Sequence, residues 1–345
     1  MFLVKRAVIL PMMVAAIAAC QPAIAGVPAP PALSDSQEPG SVLVFPFFQN
    51  QPGVSTFNVS VTCPNPTAKG CILHQTVNLR GEWVCPPTNV FSTICPERDF
   101  PLSTTVNGTL TFSPTSGGTI PSPPCFQGYL LVWVVDGTTS RNAIKFDGLV
   151  GKAVIHQFFQ ADAAYNAIPI QAGDGFNTGD IISQDTGNGT PLLFDGIHYK
   201  TVTGQVTGNV AFPTQFPFVG QGPFNTFLIF LTLDVLSNRS NFTTFVDFNF
   251  YNEVENPIST STNFICWGMI DLRQVGATID TGFPPVRYGL NGLVQSDQAT
   301  KLGQPVSLLG LTFTEEIVNN VFNHNIVPLF NNSVGIPTAF IPEGP

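Results

Sequence analysis

The sequence predicts an all-β protein: two β-sandwich, immunoglobulin-like halves, mostly antiparallel, with very little helix. Three observations carry that expectation. Apolar runs of strand length recur along the chain, some alternating with polar residues and some apolar on both faces. The 31 glycines and 31 prolines punctuate those runs at short intervals, as turns do in all-β folds. Only 10% of residues are charged, against about 25% in ordinary globular chains, so Thr, Ser, Asn and Gln must supply the solvent-facing positions.

The elements begin with an export signal. Lys5 and Arg6 precede an apolar run from Ala7 to Ala19, and Ala23-Ile24-Ala25 ends it ahead of Gly26. A basic start, a short apolar core and an A-x-A end read as a secretory signal peptide over residues 1–25. The run is shorter than the about 20 apolar residues a membrane span needs. The expected destination is therefore outside the cytoplasm: secreted, periplasmic or on the cell surface. Ile17-Ala18-Ala19-Cys20 also fits the pattern of bacterial lipoprotein processing, which would make Cys20 the lipidated first residue. Cleavage after Ala25 is the alternative. Residues 26–40 are rich in proline and read as a semi-rigid linker.

The first half is expected over residues 41–172. Val42-Leu43-Val44-Phe45 is continuously apolar. Phe57, Val59 and Val61 alternate with Asn58, Ser60 and Thr62, the period of a half-buried strand. Thr76–Trp83 and Thr109–Phe112 follow the same pattern. Gly128–Val135 is apolar on both faces and is the candidate central strand. Phe146-Asp147-Gly148-Leu149 and Phe194-Asp195-Gly196-Ile197 place Asp-Gly between apolar residues, a hairpin signal. A Gly- and Asp-rich connection over 173–200 leads to the second half, 201–345. There Thr226–Leu236 is long and apolar, Val246, Phe248 and Phe250 alternate, and Asn263–Ile270 and Val306–Phe313 complete the strands. Helix signals are confined to Ala161–Ala167 and Thr314–Ile317. Two short echoes link the halves: Thr56-Phe57 with Glu82 downstream and Thr226-Phe227 with Glu253 downstream, and Pro101-Leu102-Ser103-Thr104 with Pro257-Ile258-Ser259-Thr260, although chance in a chain rich in Thr, Ser and Phe produces such matches as well.

The blocks Gly40–Pro46, Gly128–Asp136, Phe146–Gly151 and Ser261–Trp267 resemble those of uncharacterised exported bacterial all-β proteins. The resemblance implies an exported all-β chain and carries over no functional residue.

Charge excludes some partners. Losing Lys5 and Arg6 with the leader takes the 13 basic residues to 11, against 22 acidic, a net charge of −11. The remaining basic residues are scattered singly, which argues against nucleic acid and anionic membrane surfaces. No G-x-S-x-G, P-loop, H-E-x-x-H or C-x-x-C motif is present. The expected role is accordingly non-enzymatic: a cell-surface or envelope component that self-associates or meets surface partners through sheet edges guarded by few charges.

Two other functions have candidate residues. Asp174, Asn177, Asp180 and Asp185 place side-chain oxygens on a Gly-rich turn, as calcium sites do, although the same residues serve as ordinary turn formers. Trp83, beside Glu82 and Cys85, is the tryptophan placed to offer an exposed carbohydrate platform, while Trp133 and Trp267 read as core. Glu253 and Glu255 are the candidate carboxylate pair of a secreted hydrolase.

Removal of Cys20 by either route leaves six cysteines, an even number in an exported chain and thus a disulfide framework. Spacing pairs Cys63 with Cys71 and Cys85 with Cys95 across short turns. That leaves Cys125 with Cys266, a bridge joining the two halves; the alternative is a buried free thiol at Cys266, which leaves Cys125 without a partner.

Overall fold

Alternating and continuous apolar runs resolve into four antiparallel sheets, with no α-helix among the described residues. The computed structural model describes residues 38–51, 53–63, 75–87, 95–139, 141–158, 161–187, 190–210, 225–233, 243–251, 257–272, 292–301, 303–318 and 321–331. The signal segment, Cys20, Cys71 and linker residues 26–37 lie outside them. All described residues fall within one compact unit, Leu33–Pro345.

The first large sheet contains β1 (Val42–Gln49), β3 (Thr76–Val84), β4 (Glu97–Thr105), β6 (Gln127–Val135) and β10 (Ile168–Ile170), in the order β10-β1-β6-β3-β4. Two short strands extend it: β7 (Ala143–Ile144) pairs with β6, and β11 (Ile181–Ser183) with β7. The first small sheet runs β5 (Thr109–Phe112), β2 (Ser55–Val61), β8 (Leu149–Phe158), β9 (Ala161–Asn166).

The second large sheet holds β12 (Val206–Val210), β14 (Thr244–Tyr251), β15 (Pro257–Phe264), β17 (Gly292–Ser296) and β22 (Phe330–Asn331), in the order β22-β12-β17-β14-β15. β18 (Thr300–Lys301) pairs with β14 and with β19 (Gln304–Pro305). The second small sheet runs β16 (Trp267–Asp271), β13 (Asn225–Leu231), β20 (Leu309–Val318), β21 (Val321–Pro328).

The halves repeat each other strand for strand. With β7 and β11 set aside in the first half and β18 and β19 in the second, the strands alternate between large and small sheets in one sequence. In both halves the large-sheet order is fifth-first-fourth-second-third, and the small-sheet order second-first-third-fourth. Both sequence echoes fall on equivalent strands: Thr56-Phe57 in β2 with Thr226-Phe227 in β13, and the Pro-x-Ser-Thr pair on the edge strands β4 and β15. The equivalent strands β8 and β20 also share a glycine after Leu149-Val150 and Leu308-Leu309. A Cβ at Gly151 would come within 2.6 Å of Phe45, and one at Gly310 within 2.4 Å of the Ile229 carbonyl and 3.1 Å of Leu329, so each glycine permits a close approach in its own half.

Burial explains the two kinds of strand. In β2 and β14 buried and more exposed positions alternate, whereas β1 is buried throughout and β6 at every position after Gln127. The first large sheet packs one face on its own small sheet, where Phe45 meets Phe57 and Trp83 meets Phe57 and Phe112. Its other face packs on the second small sheet. There Phe47 stacks on Trp267, the Trp267 indole N–H donates to the Pro46 carbonyl at 2.9 Å, and the Tyr129 hydroxyl donates to the Thr232 carbonyl at 3.2 Å. The second small sheet is likewise buried on both faces: Phe227, Ile229 and Leu231 join the first core, while Leu228 and Phe230 join the second with Phe248 and Phe250. The layers therefore stack as small, large, small, large, and the halves share a core. Sequence reading alone did not show this stacking.

Three local expectations are corrected. Ala161–Ala167 and Thr314–Ile317 are not helices but lie in or beside β9 and within β20, because pairing in the small sheet and burial of Ala163, Tyr165 and Ala167 override weak helix signals. The Asp-Gly pairs make no two-residue hairpins. Asp147-Gly148 lies where the chain passes from the large sheet to the small one, and Asp195 caps a bend in which Gly196 has φ +80°. Asn263–Ile270 is two strands, not one: between β15 and β16 the chain crosses from the large sheet to the small, with Cys266 at φ +62°.

Candidate functional site

The connecting segment 173–200 is held by its own side chains. Asp174 pairs with the Lys200 ammonium at 2.8 Å, and the hydrogen bond and charge of Lys200 hold its carboxyl below the usual range. Asp180 accepts from the Asn177 backbone N–H at 2.7 Å and from Asn177 Nδ2 at 3.1 Å, closing a tight turn. Asp185 accepts from the Gly187 N–H at 2.8 Å and lies 3.9 Å from Arg141 Nε. Asp195 accepts from the N–H groups of Ile197 and His198 and lies 2.8 Å from His198 Nδ1; burial raises its carboxyl, and these bonds outweigh burial to hold it low. Of the four calcium candidates the structure bonds Asn177 to Asp180, and gives Asp174 and Asp185 to other partners. Among the described residues, no three His, Cys, Asp or Glu side chains gather as a metal site requires.

Sequence reasoning missed a second cluster, on the shared-core face of β3 and β4. Glu82 stands opposite Asp99 and Val84 opposite Glu97. Arg80 Nη2 donates to Asp99 Oδ2, and Arg141 Nη1 lies 3.7 Å from the same oxygen. Glu82 is 8% exposed. Burial and, next, the charge of Asp99 push it up to about 7 against the opposing pull of Arg80 and Arg141. Burial, then Glu82 and Asp99, push Glu97 up to about 9, and neither Glu97 oxygen has a hydrogen-bond partner among the described residues. Shielded carboxyls of this kind take up and release protons; glycoside hydrolysis needs them flanking a cleft. The available signal was the i, i+2 spacing of Arg80 with Glu82 and of Glu97 with Asp99, in a chain so poor in charge.

The cysteines pair differently from the expectation. Cys85 is bonded to Cys125, and Cys95 to Cys266. β3 lies between β4 and β6, so Cys85 at its end can reach toward either neighbour, and it reaches Cys125 ahead of β6. Cys95, ahead of β4, instead meets Cys266 at the crossover of the second half. A bridge between the halves therefore exists, but through Cys95. Cys63 is disulfide-bonded, and its expected partner Cys71 lies outside the described residues.

Trp83 is no surface platform. It is fully buried, stacks on Phe100, and donates from Nε1 to the Pro121 carbonyl at 2.9 Å. Trp133 and Trp267 are buried as expected. Glu253 and Glu255 lie outside the described residues.

Among the described residues the outward sheet faces carry polar ladders, with Phe245 and Leu293 exposed beside the second of them. On the first small sheet Thr111, Asn58, Lys152 and Asn166 align across four strands. On the second large sheet Thr207, Gln295, Asn249 and Ser259 do the same. Lateral edges differ more. β4 carries Glu97, Arg98, Asp99 and Pro101, while β15 carries no charge over Pro257–Phe264.

No family model matches the chain, and no curated protein matches it. Among solved structures it is similar to the major pilin of Streptococcus pyogenes. An Asn-to-Ala mutant of that pilin is 9% identical, covering 84% of this chain and 97% of the pilin chain at a TM-score of 0.17. A Glu-to-Ala mutant is 8% identical, covering 85% and 100% at the same TM-score of 0.17.

Proposed function

We propose that this protein is an exported, non-enzymatic structural or interaction component of the cell surface or envelope, and that it associates through the edges of its sheets. The stacking of the two halves carries the reading. Each half buries an apolar face against the other, and the faces left at the two ends of the stack carry polar ladders, as the ends of repeat arrays do, with Phe245 and Leu293 exposed on the second. Edges remain, and in a chain with so few charges they are weakly guarded. Disulfides at Cys85–Cys125 and Cys95–Cys266 suit an oxidising compartment.

Light scattering on the mature chain over a dilution series tests the association, and intact mass of the cellular product tests export, leader cleavage and lipidation at Cys20. Concentration-dependent oligomers of a leaderless chain are expected. A product retaining its leader in the cytoplasm, or one chain mass at every concentration, would remove the proposal.

A further inference from the structure

Antiparallel association needs an open edge that is long, uncharged and free of obstructing residues. The described edges differ sharply on these counts. β10 and β22 have three and two residues, and β5 has four. β9 and β21 lie beside each other. β16 ends in Asp271, and β4 is guarded by its charges and Pro101. β15 has eight residues, pairs along its whole length with β14, and pairs with no other described strand; its one proline, Pro257, stands at its first position, and Ile258–Phe264 carry neither proline nor charge.

We infer that β15 is the association strand and that its occupant is β15 of a second copy, paired antiparallel about a two-fold axis. This rests on the edge association proposed above. A two-fold contact must be self-complementary, and β15 meets that condition: a strand without charge lies against itself with no like-charge repulsion. The other edges are too short, charged or adjoined to another strand, so β15 of a second copy is the matching edge this chain offers. Ser259, Ser261 and Asn263 are exposed along it, and Phe245, opposite Asn263 on β14, is 54% exposed. Pairing joins two large sheets into one continuous sheet. The equivalent strand β4 differs: it carries charged residues, and Cys95 just ahead of it is bonded to Cys266 of the second half.

The test is Ser261→Lys on the mature chain. Asp247 stands opposite Ser261 on β14, so the lysine has a favourable neighbour within its own fold and an unfavourable one across the two-fold axis. Multi-angle light scattering should give two chain masses for wild type and one for Ser261→Lys, with unchanged melting temperature and circular dichroism. Asn263→Lys should do the same if the first variant folds poorly. Ser103→Lys, exposed on β4, should remain at two chain masses. Dimers surviving both β15 substitutions would overturn the assignment to β15 while leaving edge association standing. Wild type at one chain mass throughout would overturn both.

Discussion

The Trp267 indole N–H donates to the Pro46 carbonyl at 2.9 Å across a sequence separation of 221 residues, and the same ring stacks on Phe47. One side chain of the second half thus completes the inner layer of the first. The two sandwiches should unfold together.

Trp267→Ala should lower stability by about 3–5 kcal/mol, the usual cost of deleting a buried large aromatic. Trp267→Phe should cost less but leave the Pro46 carbonyl unpaired. Denaturant unfolding followed by fluorescence and by circular dichroism should show one coincident transition in wild type. Two separated transitions would mean that the halves are independent.

Stability should fall as pH rises. A carboxyl raised by burial holds its proton in the folded state where the unfolded chain has lost it, so the folded state is favoured below the unfolded value near 4.5 and loses that advantage as pH climbs through about 7 for Glu82 and about 9 for Glu97. Melting temperature measured from pH 5 to pH 9 should decline, and Glu97→Gln should flatten the decline. A melting temperature that increases over this range would contradict the burial of the pair.

Non-reducing peptide mapping should recover Cys85 with Cys125 and Cys95 with Cys266. These bridges close segments of 40 and 171 residues, worth about 4 and about 5 kcal/mol on the chain-entropy model. The Cys95→Ser, Cys266→Ser double variant should therefore be the less stable of the two double variants. Recovery of Cys85 with Cys95 would contradict the structure.

Asp180→Ala removes the acceptor for both Asn177 donors and should loosen the turn at a cost of about 1 kcal/mol or less. Because protein groups already engage Asp174, Asp180 and Asp185, melting temperature should be the same in calcium and in chelator. A calcium-dependent rise lost in Asp180→Ala would show that the segment takes a metal.

Layer position was readable where a strand has one environment per face. The alternation of β2 and β14 marks outer sheets, and the unbroken apolar runs of β1, β6 and β13 mark inner ones, since a strand buried on both faces has no polar side. Gly128–Val135 reads as central for that reason, and it pairs with both β1 and β3. The partner of an inner face is a long-range choice. Nothing in the local pattern of Phe47 specifies Trp267, and nothing near Cys95 specifies Cys266. The Glu82–Glu97–Asp99 cluster stayed hidden because it is assembled by cross-strand pairing of β3 with β4 and by Arg141 from a distant loop, none of which the local pattern specifies.

Hydrogen–deuterium exchange of β15 against β4, followed over a dilution series, bears most directly on how this protein associates. At concentrations giving two chain masses, the amides within Ser259–Asn263 that point away from β14 should be protected, and on dilution they should lose protection while those of β4 stay unchanged. Rapid exchange in β15 while the protein is still associated would contradict pairing through that edge.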